Sequence, residues 1–293
     1  MKEKDIEKAP DRLAVLEKIQ TLEKEGKFDI DVEEDPPTIP LTPEEIDYLR
    51  KSTYSKLKNK VANKVGEKFL HDIIKENKLM IKEIKGIENM QKVETGAILT
   101  CNHFNPFDSF SIEHVFRLSG QAKRKKMYKV IREGNYTNFP GFYGFLFRNC
   151  DTLPLSSNKR TMVAFMKAVE AILKRGDFIL IYPEQSMWWN YRKPKPLKNG
   201  AYRFAVKNKV PVIPIFITME DSQNIGDDGF PIQAYTIHIK EPIYPEDTLS
   251  EKEKVERMKN ENYQIWKQVY EEFYQIPLKY TTEEQKVSVT NGK

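Results

Sequence analysis

One histidine and one carboxylate in this chain stand at a spacing that suits acid–base chemistry. In Asn102-His103-Phe104-Asn105-Pro106-Phe107-Asp108, four residues separate the imidazole from the acid, and Asn-Pro supplies a turn between them. Folded back on that turn, Asp108 accepts the Nδ1 proton of His103. This fixes the tautomer, stabilises the imidazolium and leaves Nε2 as a general base. No serine nucleophile is needed when an acceptor molecule brings its own hydroxyl. A plainer arrangement uses the same residues, with Asp108 capping a helix that begins at Ser109 and His103 an ordinary loop histidine.

Two further segments carry polar groups at positions where ligands are met. Tyr182-Pro183-Glu184-Gln185-Ser186 follows a run of apolar residues, and the proline stops that strand and presents Glu184 at its carboxyl end. There Glu184 binds an acceptor hydroxyl, orients the loop, or is simply a surface carboxylate. In Lys198-Asn199-Gly200-Ala201 the glycine lets backbone approach a ligand, and a helix amino terminus favours an anion. A plain loop-to-helix transition accounts for that run as well.

The elements that must position these residues are read from periodicity. Met80-Ile-Lys-Glu-Ile, Gly96 to Cys101, Met127 to Ile131, Thr152 to Leu155, Phe178 to Tyr182, Val210 to Thr218 and Tyr235 to Lys240 read as strands. Helices are expected at Ser109 to Arg117, Lys159 to Arg175 and Gly200 to Asn208, with a final amphipathic one from Ser250 to Gln275. Strands alternating with helices imply an α/β fold with a largely parallel central sheet flanked by helices on both faces. The loops that follow such strands gather ligand-binding residues. Gly134 to Phe147 reads as a Gly/Pro/aromatic loop. Thr42-Pro43-Glu44-Glu45 reads as the start of a long helix that places Tyr54, Leu57, Val61, Val65, Phe69 and Ile73 on one face, with lysines on the others. Pro10 to Glu25 has helical spacing with few apolar anchors, and Phe28 to Pro40 reads as an extended linker, so weak packing is expected there. The resulting division is a charged N-terminal segment and linker (1–41), a basic amphipathic region (42–78), the α/β core (79–245), and a C-terminal helix and tail (246–293), the last dozen residues polar and frayed.

Composition narrows the class of protein. Lys and Arg number 48 against 43 Asp and Glu, too even for charge alone to name a partner, but the distribution is uneven. Seven bases lie between Arg50 and Lys68 with the single acid Glu67, and five acids lie between Asp29 and Asp35. The basic stretch is expected to meet an anionic partner. The apolar runs are shorter than the roughly 18 residues a membrane span needs, and mean hydropathy is −0.63. Met-Lys-Glu-Lys-Asp lacks a signal-peptide core, so a cytoplasmic protein is expected. Cys101 and Cys150 offer neither a disulfide framework nor metal spacing.

Taken in order and spacing, Asn102-His103-x4-Asp108, Tyr182-Pro183-Glu184, Lys198-x-Gly200-Ala201 and Val210-Pro-Val-Ile-Pro-Ile215 resemble the glycerol-phosphate and lysophosphatidic acid acyltransferase superfamily. The resemblance covers roughly Gly96 to Ile217. It implies transfer of a fatty acyl group from an acyl thioester to a lysophospholipid hydroxyl, above all 1-acyl-glycerol-3-phosphate. The implied general base is His103, oriented by Asp108, with Glu184 helping to bind the acceptor and Asn102, Ser186, Lys198 and Gly200 beside it. Acyl-CoA or acyl carrier protein is the implied donor, with no cofactor, no metal and no nucleic acid. A membrane surface is the implied partner, the protein lying peripherally on the inner face through the basic helix or the aromatic loop.

Two departures bear on the acceptor. After Pro-Glu the family usually has Gly-Thr-Arg where this chain has Gln185-Ser186-Met187, and Thr152-Leu-Pro-Leu155-Ser-Ser157 lacks the arginine that ends the family's second motif. Lys129, Arg132, Lys159, Arg160, Arg192 and Lys193 are candidates for replacement charge, although lysine lacks the bidentate fork of arginine. Alternatively the acceptor has no phosphomonoester. Trp188, Trp189 and Tyr191 then either line an apolar groove or pack on the core. Two readings compete from other classes: a non-catalytic membrane-binding module of the same fold, and a metal-dependent hydrolase using His103, Asp108 and His238.

Overall fold

The computed structural model of the chain describes residues 7–34 and 37–282. The amino-terminal residues read for a targeting signal, and most of the polar carboxyl-terminal tail, lie outside those described. The strands are β1 (Met80–Lys85), β2 (Ala97–Thr100), β3 (Met127–Ile131), β4 (Thr152–Pro154), β5 (Phe178–Ile181), β6 (Val212–Ile225) and β7 (Pro231–Ile239). Among the described residues they form one sheet in the order β1-β7-β6-β2-β5-β3-β4. Every neighbouring pair is parallel except β6–β7, which is an antiparallel hairpin.

The helices are α1 (Pro10–Glu25), α2 (Thr53–Lys75), α3 (Ile87–Gln91), α4 (Asp108–Leu118), α5 (Glu133–Thr137), α6 (Gly141–Asn149), α7 (Lys159–Lys174), α8 (Gly200–Asn208) and α9 (Glu251–Tyr274). Successive strand residues face opposite ways, and both faces here are apolar because both are covered. Ile98, Ile179 and Val212 join Phe165 and Ile172 of α7, Ala205 of α8 and Trp266 of α9. On the other side Leu99, Leu180 and Ile213 join Ile73 of α2 and Ile112 and Phe116 of α4. The α/β architecture read from the sequence is therefore the one observed.

Several local expectations are corrected. The long helix does not begin at Thr42. The Thr42–Glu45 capping box closes only a 3-10 turn at Pro43–Glu45, and α2 starts at Thr53 with Ser52 as its cap. Asp47 accepts from Ser52 N and Ser55 Oγ, and Arg50, at φ 52°, donates to the carbonyls of Arg148 and Cys150. These side-chain bonds hold the backbone out of a helix. The aromatic stretch 134–147 is not a loop but folds into α5 and α6.

The N-terminal segment also packs firmly. Ile19, Leu22 and Val32 are buried against Trp188, so few but well-placed apolar anchors suffice. The apolar stripe of α2 divides along its length. Ile73 is buried, but Tyr54, Leu57 and Val61 are 67%, 63% and 49% exposed. At that end the helix instead buries Asn59, whose amide donates to Asn149 O and to the Asp151 carboxylate.

Candidate active site

Strand register brings the two loops of interest together. β2 and β5 are parallel neighbours with Thr100 opposite Ile181. His103 and Glu184 each lie three residues beyond those partners, on adjacent loops at the same sheet edge. Glu184 Oε2 accepts the backbone N–H of His103 at 3.1 Å, and its Oε1 accepts that of Lys195 at 2.8 Å. On the other side of β2, Thr100 pairs with Pro214 of β6. Asn102 there clasps Ile217, donating from Nδ2 to its carbonyl at 3.0 Å and accepting its N–H at 2.8 Å.

His103 Nδ1 lies 2.7 Å from Asp108 Oδ2. The same oxygen accepts the amides of Phe104 and Asn105, at 3.2 and 3.4 Å, and Oδ1 accepts the Tyr182 hydroxyl at 2.6 Å. The Tyr182 ring stacks on the imidazole at 4.0 Å between centroids. Asp108 is thus fixed by three groups besides the histidine, and the imidazole is held by a hydrogen bond on its edge and a ring on its face. The His103 side chain is 25% exposed and that of Asp108 1%. The base is reachable and its partner is not. Burial, with Asp108 adding to it, pushes the Tyr182 hydroxyl well above its ordinary pKa, so it remains a donor to the carboxylate.

Beneath the dyad sits a buried ion pair. Lys195 Nζ is 3.5 Å from Glu184 Oε2, both side chains almost wholly enclosed, and it donates to the carbonyl and hydroxyl oxygens of Ser186 at 2.7 and 2.8 Å. Burial raises the Glu184 carboxyl and lowers the Lys195 amine. The mutual attraction of the two opposes both shifts.

The proposed anchors for a phosphate fall into two groups. Arg132 lies at the loop itself, donating to Gln185 O at 2.6 Å and pairing with Asp31. Four of the others are engaged elsewhere. Lys129 pairs with Glu113 at 2.7 Å. Burial opposes ionisation of Glu113, but Lys129 and Arg117 outweigh it and hold its pKa below the usual glutamate value. Arg160 pairs with Glu44, Arg192 with Asp221 and Lys193 with Glu23. Lys159 stands at the first turn of α7.

Of the remaining expected binding residues, Asn102 is bonded to β6 by both ends of its amide. Ser186 is fully buried and donates to Phe28 O at 2.6 Å. Lys198 pairs with Asp29 at 3.0 Å. Gly200 opens α8, with Asn199 beside it bonded to Glu256, so an acid already lies at that helix start. Glu184 meets backbone amides with both oxygens, the loop-orienting role of those weighed for it. Trp188 and Trp189 are buried and line no open groove. Phe28 stacks on Trp188 at 5.5 Å, and Phe230 meets Trp189 edge-on. His238, imagined beside His103 in a metal site, is bonded instead to Thr218 Oγ1 at 2.9 Å within the β6–β7 hairpin.

Sequence reasoning gave no role to Tyr182, Lys195 or Asp31. Tyr182 had a signal, standing immediately before Pro-Glu. Lys195 lies between two prolines, a small clue to a constrained buried lysine, and Asp31 is marked only as one of the acids in the run from Asp29 to Asp35.

On this fold, with its His–Asp dyad at the parallel-strand ends, residues 82–218 match the family model described as Acyltransferase. The chain is 27% identical over 134 residues to the 1-acyl-sn-glycerol-3-phosphate acyltransferase BAT2, chloroplastic, of Brassica napus. That match covers 45% of this chain and 36% of the plant protein, so the chain spans about a third of that relative's length. The crystal structure of the 1-acyl-sn-glycerophosphate (LPA) acyltransferase PlsC from Thermotoga maritima shares the fold with a TM-score of 0.50. It is 20% identical, over 79% of this chain and 87% of that one.

Proposed function

We propose that the protein is an O-acyltransferase that moves a fatty acyl group from an acyl thioester to the hydroxyl of a lysophospholipid in phospholipid biosynthesis. The observation that carries this reading is the His103–Asp108 contact on a reachable imidazole. In the reaction, Nε2 takes the acceptor's hydroxyl proton as its oxygen attacks the thioester carbonyl carbon. The tetrahedral intermediate collapses with cleavage of the C–S bond, and His103 returns the proton to the departing thiolate. The Asp108 carboxylate stabilises the transient imidazolium. The donor is acyl-CoA or acyl carrier protein.

For the acceptor, the names of the relatives favour 1-acyl-glycerol-3-phosphate. A second reading, an acceptor without a phosphomonoester, is favoured by the pairing of Lys129, Arg132, Arg160, Arg192 and Lys193 with acids of the chain itself. An amphiphilic acceptor requires access to a bilayer, and among the described residues no helix is long and apolar enough to cross one. The peripheral contact is assigned to the exposed Tyr54, Leu57 and Val61 of α2 with its lysines, together with Phe142 and Tyr143 of α6, at the cytoplasmic leaflet. Phe69 links the two helices, its ring 5.1 Å from Phe142, and stands 6.4 Å from Phe107 beside the dyad.

The test is release of thiol from a labelled acyl thioester in the presence of a panel of lysophospholipids. Release that depends on the acceptor and yields the acylated lipid supports the reading. Release that ignores the acceptor makes the protein a thioesterase.

A further inference from the structure

The loop after Glu184 carries an anion-binding position that the chain fills itself. That loop lies directly over the dyad: Trp188 N donates to His103 O at 3.2 Å and Asn190 N to Phe104 O at 2.9 Å. The acidic N-terminal segment runs against its outer side, with Ser186 Oγ donating to Phe28 O and Trp188 Nε1 to Ile30 O at 2.7 Å. Directly after Ile30 stands Asp31. Its Oδ1 accepts the backbone N–H of Met187 at 3.0 Å. Its Oδ2 pairs with the Arg132 guanidinium, which also donates to Gln185 O at 2.6 Å.

A guanidinium and a backbone N–H sharing one carboxylate are the elements of an oxyanion receptor. Met187 is one residue from the amide that holds His103. Because this loop is bonded to the backbone of His103 and Phe104, an acceptor presenting its hydroxyl to His103 would have its headgroup near it. A phosphomonoester, carrying nearly two negative charges near neutral pH, would meet a carboxylate already in place.

We propose that Asp31 is a specificity-determining residue: it occupies the headgroup anion position and selects lysophospholipids whose phosphate is a diester over those with a phosphomonoester. The inference rests on the acyl-transfer reading and deepens it, because Asp31 touches the loop that meets the acceptor and not the reacting atoms. Two acids of the run that begins at Asp29 thus meet cations of the chain itself, Asp29 with Lys198 and Asp31 with Arg132.

The experiment compares kcat/KM for 1-acylglycerol 3-phosphate and for 1-acylglycerophosphocholine in the full chain, in Asp31→Ala, in Asp31→Asn and in Asp31→Ala/Arg132→Ala. Binding of sn-glycerol 3-phosphate by calorimetry is measured alongside. The wild type is expected to prefer the diester. Asp31→Ala is expected to move the ratio toward the monoester by about tenfold or more and to tighten glycerol phosphate by a similar factor, both gains disappearing when Arg132 is also replaced. Asp31→Asn keeps an acceptor for Met187 N–H and so the local fold; it is expected to shift both readouts the same way by less.

A wild type that already prefers the monoester, or an Asp31→Asn variant with ratio and binding unchanged, overturns the proposal and leaves acyl transfer standing. If no acceptor is acylated by the wild type, the acyl-transfer reading fails on its own. Glycerol phosphate binding then decides the anion position: a gain in Asp31→Ala that Arg132→Ala removes upholds it, and no gain overturns it.

Discussion

Replacing Asp108 by asparagine removes a charge and little else. Four donors converge on the two carboxylate oxygens. An asparagine with its carbonyl at the Oδ2 position still accepts from Nδ1, Phe104 N and Asn105 N, while its NH2 faces the Tyr182 hydroxyl, which can turn to accept. What is lost is the anion 2.7 Å from the imidazole as the ring becomes cationic in the transition state. At an effective dielectric constant near 20, charges about 4 Å apart attract by about 4 kcal/mol. That corresponds to about a thousandfold in rate. Steady-state kinetics with a saturating acyl thioester should therefore show kcat lower by about 10³, with KM for the acceptor nearly unchanged. A fall of less than tenfold in kcat, or a loss carried by KM, would refute the reasoning, because the carboxylate would then only be holding the loop.

Other consequences follow from the same structure. Lys195→Met strands the buried Glu184 and should cost about 3–5 kcal/mol in denaturant unfolding, whereas Glu184→Gln/Lys195→Met should recover part of that loss; a double variant no more stable than Lys195→Met would count against the pair. His238 has its pKa pushed down from 6.5 to about 4 by burial, aided by Lys85 and Lys240. The unfolded chain then binds the extra proton between those values, so this contribution to stability is full above about pH 6.5 and is lost as pH falls toward about 4. Thermal unfolding of wild type and His238→Gln should diverge with pH over that window, and parallel curves would remove the assignment. Charge reversal at Lys58, Lys60 and Lys64 should weaken co-sedimentation with anionic vesicles by tenfold or more, at about 1 kcal/mol for each lysine near the surface; sedimentation that ignores both the substitutions and added salt would rule out the α2 contact.

Much of this molecule was legible in its sequence because the signals are local. The buried strands β2 and β5 are short apolar runs, α7 and α9 show plain 3.6-residue periodicity, and the loops bearing His103 and Glu184 directly follow their strands. What escaped is non-local. The capping box at Thr42 looked like the start of a long helix, yet side-chain bonds from Asp47 and Arg50, the latter to residues about a hundred positions away, delay the helix to Thr53. Asn102 sat beside the histidine and so read as a substrate contact, but its partner Ile217 is 115 residues distant. The N-terminal segment reads as weakly packed because the residue its few anchors meet, Trp188, is more than 150 positions away. Most of the cations that read as phosphate ligands are met by acids well separated from them in sequence.

The central claim is that His103 deprotonates the acceptor. Its most direct test is single-turnover acyl transfer by wild type and His103→Ala, each shown to be folded by its circular dichroism. A bound acyl thioester is chased with lysophospholipid, and the acylated lipid is quantified. Loss of about 10²–10⁴ in the transfer step is the expected result for removal of a general base, with thioester binding retained. Transfer at a wild-type rate in His103→Ala would contradict it.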